Sequence, residues 1–113
     1  MSTEDELDRV FKALANPVRR AICDAIKLRP LTTKQLCAVF AELDRCTVMQ
    51  HLKVLEASGL VTSQKVGRVR TCRVDPLALT AAERWLNERR KSVERSLDRL
   101  GAFLDETKPE TEK

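Results

Sequence analysis

Tyrosine is missing from this 113-residue chain, aromatic residues make up only 4% of it, glycine occurs three times and histidine once. So few aromatics beside 34% charged residues describe a helix-rich protein rather than a β-sandwich or barrel. With three glycines there is no glycine-rich loop to cradle a phosphate. The single histidine, His51, has no second imidazole for acid–base chemistry, so the sequence argues against an enzyme. No run approaches the roughly 18 apolar residues of a membrane span. The acidic start, Glu4-Asp5-Glu6, lacks the basic beginning and apolar stretch of a secretory signal. A cytoplasmic protein without membrane contact is expected. Cys23, Cys37, Cys46 and Cys72 form no C-x-x-C pair and are read as reduced thiols, as suits that compartment. There is no internal repeat and no candidate cofactor site.

What the chain does have is positive charge concentrated in its body. The formal net charge is +4, but residues 1–8 and 106–113 hold seven of the 17 acidic side chains and only two of the 21 basic ones. The remaining body carries nineteen Lys/Arg against ten Asp/Glu, a net +9. An excess of this size favours a polyanionic partner, although charge alone leaves fold and sequence preference open.

The hydrophobic pattern predicts one domain over 1–113, mainly α with a small β-hairpin, in the order α-α-α-α-β-β-α. Leu7, Val10, Phe11 and Leu14 recur at helical spacing, and Asn16-Pro17 must interrupt that helix because the residue before proline avoids the helical region. Pro17 then opens a second helix with the stripe Val18, Ile22 and Ile26. Thr32 or Thr33 can cap a third helix of about three turns, whose stripe would be Leu36, Val39, Phe40 and Leu43. Asp44 is the candidate N-cap of a fourth helix beginning near Arg45, with Val48, Leu52 and Leu55 inward and Gly59 as its stop. Two β-branched runs, Val61 to Val66 and Val69 to Val74, flank Gly67-Arg68, where glycine at the first loop position suits a type II′ turn. Asp75-Pro76 ends the second strand. Helical spacing resumes through Ala78, Ala82, Trp85, Leu86, Val93, Leu97, Leu100 and Leu104. The expected partition is a core over 9–75, a long last helix over 76–106 and a charged, disordered tail over 107–113.

Three strings give this order a familiar form: VFKALANPVRRAI (Val10 to Ile22), HLKVLEASGLV (His51 to Val61) and VGRVRTCRVDP (Val66 to Pro76). Over about residues 9–105 the chain resembles the winged helix-turn-helix repressors of the ArsR/SmtB family. The resemblance implies a bacterial transcriptional repressor whose fourth helix reads DNA and whose hairpin is the wing. Three features depart from the family's usual pattern. The turn Ala41-Glu42-Leu43-Asp44-Arg45-Cys46 is one residue longer than is common, Met49 stands where serine is frequent, and Cys46 stands where a small residue or proline often does. Members of the family often sense metals through thiolates near the third helix or His/Asp/Glu clusters on the last. Here Thr32 and Lys34 occupy the places of the thiolate pair and the last helix has no histidine, so the chain looks like a branch without metal ligands. No small-molecule effector is evident either.

With Val48, Leu52 and Leu55 inward, about 100° per residue puts Cys46, Thr47, Gln50, Lys53 and Val54 on the opposite, groove-facing side. Thr47 can meet a thymine methyl or an acceptor, and Gln50 can pair bidentately with adenine. Arg45 and His51 are expected at the rim, on phosphate, with His51 a packed or phosphate-bonded ring rather than a metal ligand. Thr32, Thr33 and Lys34 are placed either to meet phosphates or, for the threonines, simply to cap. Lys65, Arg68 and Arg70 make the wing cationic. Residues 44–73 carry six positive side chains against two negative, Asp44 and Glu56.

Leu7, Val10, Phe11 and Leu14 of the first helix and Trp85, Leu86, Val93, Leu97, Leu100 and Leu104 of the last form apolar stripes that a chain of this size is not expected to bury alone. A homodimer pairing there would present two recognition helices to double-stranded DNA and call for an inverted-repeat operator. Two other readings stay open: a winged-helix module that binds protein, and a redox-sensing repressor using Cys46 at the head of its helix.

Overall fold

The structure is a computed structural model that describes residues 3–107. It contains five helices and three strands: α1 (Thr3–Leu14), α2 (Pro17–Lys27), β1 (Leu31–Thr32), α3 (Thr33–Val39), α4 (Arg45–Ser58), β2 (Val61–Val66), β3 (Val69–Val74) and α5 (Pro76–Thr107). The mainly helical winged helix-turn-helix expected from the sequence is therefore the observed fold. The strands form one antiparallel sheet in the order β1-β3-β2. Thr107, assigned above to the tail, closes α5, and the rest of that expected tail, 108–113, lies outside the described residues.

The α1–α2 corner is built from side chains that satisfy orphan backbone groups. Asn16 is extended (φ −134°, ψ 128°) and its Oδ1 accepts from Val18 N at 2.9 Å and Arg19 N at 3.1 Å, so it caps α2 as well as interrupting α1. The two arginines that follow turn back onto the last turn of α1. Arg19 Nε donates to Ala13 O at 2.8 Å, Arg19 Nη2 to Lys12 O at 3.1 Å, and Arg20 Nη1 to Leu14 O at 2.6 Å. Lys12 O also accepts from Ala15 N at 3.2 Å, whereas Ala13 O and Leu14 O have no partner inside their own helix, so the Arg-Arg pair serves as a C-terminal cap from the next element.

The third helix differs from expectation. It spans seven residues, about two turns. Leu36 and Phe40 are buried and Leu43 is partly buried, but Val39 is 56% exposed. Phe40 is the C-cap at φ −104°, ψ 47°, which breaks the period before Leu43. In α4 the expected inward face holds: Val48, Leu52 and Leu55 are at most 2% exposed. Asp44 is its N-cap through the backbone alone; Val48 N donates to Asp44 O at 3.1 Å and the carboxylate makes no capping bond. Gly59 ends α4 at φ +85°, the left-handed conformation that glycine adopts without a Cβ penalty.

In the hairpin Val66 pairs with Val69, leaving Gly67-Arg68 as the loop. Gly67 has φ +62° while no non-glycine residue among those described has positive φ, the pattern of a II′ turn. The unanticipated β1 pairs Leu31 with Cys72 and Thr32 with Thr71. At the base, Asp75 N donates to Leu60 O at 2.8 Å, and Asp75 Oδ1 accepts from Leu77 N at 3.0 Å, closing the hairpin and opening α5 with one residue.

Ile22, Leu36, Val48, Leu52, Leu55, Leu60, Val61 and Cys72 are almost wholly buried and bring α2, α3, α4 and the sheet together. Each such aliphatic side chain contributes about 1.5–3 kcal/mol on burial. Val10 and Ala13 join this core, with Leu7, Phe11 and Leu14 packed against it. This corrects the idea that α1 exposes its stripe: Val10 is 4% exposed and belongs to the interior of its own chain. The chain divides into two compact units at Ala82/Glu83. In the second unit Leu86, Val93, Leu97, Leu100 and Leu104 are each more than half exposed and Trp85 is 38% exposed, with the Arg89 guanidinium 4.6 Å above the Trp85 ring. Among the described residues no helix is long and apolar enough to cross a membrane.

Candidate nucleic-acid interface

Because Val48, Leu52 and Leu55 anchor α4 from within, its opposite side is held rigidly outward. There Arg45, Cys46, Met49, Gln50 and Lys53 line one shallow depression of about 290 Å³. Cys46, Gln50 and Lys53 were expected on this face; Arg45, expected at the rim, shares the depression with them. Met49 is the addition. It stands four residues after Arg45 and four before Lys53, a spacing that places all three on one side of the helix. That spacing could have revealed it. Thr47 and His51 are half-buried on the flanks, and Val54 is 39% exposed.

At the start of α3 the two readings of the threonines separate. Thr32 Oγ1 accepts from Gln35 N at 3.1 Å and Thr32 N donates to Gln35 Oε1 at 2.9 Å, a reciprocal capping box. Thr32 therefore caps. Thr33, half-buried, and Lys34, exposed, occupy the first two helical positions, whose N–H groups have no acceptor inside the helix.

The wing does not present its three cations alike. Lys65 and Arg68 are exposed near the hairpin tip, whereas Arg70 is half-buried and its Nη1 lies 4.0 Å from Glu56 Oε1 on α4. Strand register explains this: Arg70, Cys72 and Val74 share a face, Cys72 is fully buried, and Arg70 thus stands on the side turned toward α4. Lys65 sits directly opposite Arg70, and the Glu56 carboxylate offsets the repulsion between those two cations. Arg73 projects from the other face.

The thiols occupy different environments. Cys46 is exposed at the second position of α4, and Cys72 is sealed under the sheet. Burial, then the nearby Glu56 carboxylate, raises the Cys72 thiol above the ordinary range, with Arg70 opposing. Burial, then Asp24, raises Cys23. Among the described residues no three His, Cys, Asp or Glu side chains gather into a metal-binding group.

Comparison with known proteins gives this geometry its context. A family model described as a helix-turn-helix domain matches residues 14–64. The HTH-type transcriptional regulator Rv2034 of Mycobacterium tuberculosis is 40% identical over 81 residues, covering 72% of this chain and 75% of the relative. The crystal structure of the ArsR family transcriptional regulator RHA00566 superposes with a TM-score of 0.75 at 35% identity, covering 82% of this chain and 95% of that one. An ArsR-like transcriptional regulator from Rhodococcus sp. RHA1 superposes with a TM-score of 0.80 at 28% identity, covering 96% of this chain and all (100%) of the other.

Proposed function

The chain belongs to the ArsR family of helix-turn-helix transcriptional regulators, and from that premise we propose that it is a cytoplasmic, non-enzymatic repressor that binds an inverted-repeat operator in double-stranded DNA as a homodimer. The observation that carries this reading is the outward face of α4, where Arg45, Gln50 and Lys53 line one depression. A helix of this kind fits the major groove with its N-terminal half against base edges. Gln50 supplies the amide that pairs bidentately with adenine, Thr47 flanks it, and Lys53 and Arg45 engage phosphates beside the bases. Lys34 and the N–H groups of Thr33 and Lys34 suit a neighbouring phosphate, and Lys65 and Arg68 at the wing tip suit the next stretch of backbone.

The homodimer rests on the exposed row Leu86, Val93, Leu97, Leu100 and Leu104 of α5 rather than on α1. Two copies related by a two-fold axis place their recognition helices about 34 Å apart or a multiple of it, one DNA turn, hence the inverted repeat. Selection of genomic fragments on the purified chain, followed by sequencing, tests the whole reading. Recovered fragments sharing an inverted repeat, with binding weakened by Gln50→Ala, support it; a folded chain that enriches no sequence refutes it.

A further inference from the structure

A second concavity, of about 390 Å³, lies within the first compact unit, away from the outward face of α4. It forms where α1 and the start of α5 meet the C-terminal end of α4. One wall is apolar, built from Leu7 and Val10 of α1 and from Leu77, Ala78 and Ala81 of α5. The ionisable groups around it are mostly of one sign: the carboxylates of Glu6, Glu56 and Asp75 against the single guanidinium of Arg9. Gly59 and the last residues of α4 complete the rim, and this is the end at which a helix carries its partial negative charge.

The volume falls within the range of small-molecule sites, about 300–1,000 Å³. Carboxylates beside a helix C-terminus disfavour an anion. The apolar wall offers nothing to a hydrated metal ion, which needs oxygen ligands on several sides. We propose that the cavity binds a small amphipathic organic cation, an ammonium group on an apolar body, with the ammonium at Glu56 and the body against Leu77, Ala78 and Ala81. Asp75 is already committed to capping, since its Oδ1 accepts from Leu77 N at 3.0 Å. Of the other two carboxylates Glu6 is exposed to water on α1, whereas Glu56 is half-buried and so better placed to hold the cation; its present partner is Arg70 at 4.0 Å. The ligand therefore competes with Arg70 for Glu56, and the site joins the end of α4 to the foot of the wing. This inference does not require that the chain bind DNA, and its test uses the free protein.

Calorimetric titration of the full chain with phenethylammonium, phenethyl alcohol and hydrocinnamate separates charge from shape. The ammonium is expected to bind saturably, one per chain, with the alcohol about tenfold weaker, the effect of losing one charged hydrogen bond. The carboxylate is expected not to bind. Glu56→Gln weakens the ammonium about tenfold for the same reason, whereas Arg70→Gln, which leaves Glu56 without its cation, tightens it severalfold. Ala78→Trp fills the cavity and abolishes binding in a chain whose helical circular dichroism is unchanged; should that variant unfold, the opposite responses of Glu56→Gln and Arg70→Gln still decide the matter. Equal binding of alcohol and ammonium, preference for the carboxylate, absence of binding by all three, or indifference to both Glu56→Gln and Arg70→Gln overturns the proposal.

Discussion

Arg70 of the wing strand β3 faces Glu56 of α4 across a gap of 4.0 Å, so the hairpin is tied electrostatically to the helix whose other side carries Gln50 and Lys53. The tie is partly exposed, with the Arg70 and Glu56 side chains at 41% and 28% exposure, and pairs of that kind contribute about 0–1 kcal/mol. Its larger consequence lies in charge available to DNA. While Arg70 is held by Glu56, Lys65 and Arg68 are the exposed cations nearest the wing tip.

Glu56→Gln removes one of the two acidic side chains among residues 44–73 and releases Arg70. The expected result is DNA affinity raised severalfold at low salt, with a salt slope steeper by about two units as the Arg70 of each chain in the dimer takes up a phosphate. Thermal unfolding is expected to change little. Fluorescence anisotropy across a salt series checks the first point and circular dichroism the second; weaker DNA binding by a well-folded Glu56→Gln chain would show that the pair positions the wing rather than withholding a charge.

Leu52 and Val39 separate core from surface among residues that look alike in sequence. Leu52 is 2% exposed at the centre of the α4 face, and its replacement by alanine is expected to cost about 2–5 kcal/mol in urea unfolding. Val39 is 56% exposed and its replacement by alanine is expected to stay within about 0.5 kcal/mol of wild type. A large loss for Val39→Ala would return that residue to the core.

That contrast also shows what was legible from residues alone. The α4 stripe, the stop at Gly59 and the turn at Gly67 depend on spacing within a few residues, so they could be read directly. The stripe of α3 misled at Val39 because this two-turn helix turns Leu36, Cys37 and Phe40 inward, which leaves Val39 on the far edge of the stripe. β1 is two residues long and pairs with β3 far along the chain, so no local alternation betrays it. The roles of Arg19 and Arg20 were hidden for a related reason: their partners are carbonyls of the preceding helix, and in sequence they are simply two more positive charges. The outward face of α4 followed from its period. The difference between exposed Lys65 and Arg68 and engaged Arg70 needed the strand register against α4.

The four thiols should differ in reactivity. Cys46 is exposed, Cys23 and Cys37 are half-buried and Cys72 is buried, so mass-spectrometric labelling with iodoacetamide is expected to modify Cys46 first and Cys72 last. Burial raises Cys23 and Cys72, which lowers their thiolate fraction at neutral pH and slows them further. The sign for stability follows. Above the ordinary thiol range, about pH 8.5, the unfolded chain loses these protons while the folded chain keeps them, so stability falls as pH rises through that range. Early labelling of Cys72 in the native state would contradict its placement under the sheet.

Contact of α4 and the wing with DNA through exposed cations and the Gln50 amide would make binding strongly dependent on salt. The most direct measurement is the affinity of the chain for its selected operator between about 50 and 200 mM salt, for wild type and for the Lys65→Ala/Arg68→Ala double variant. The predicted result is a steep linear fall of log affinity with log salt for the wild type, and a slope shallower by about three to four units for the variant, which loses two cations in each chain of the dimer. Affinity that barely changes over that range, or an unaltered slope in the variant, would rule out DNA contact through these cations.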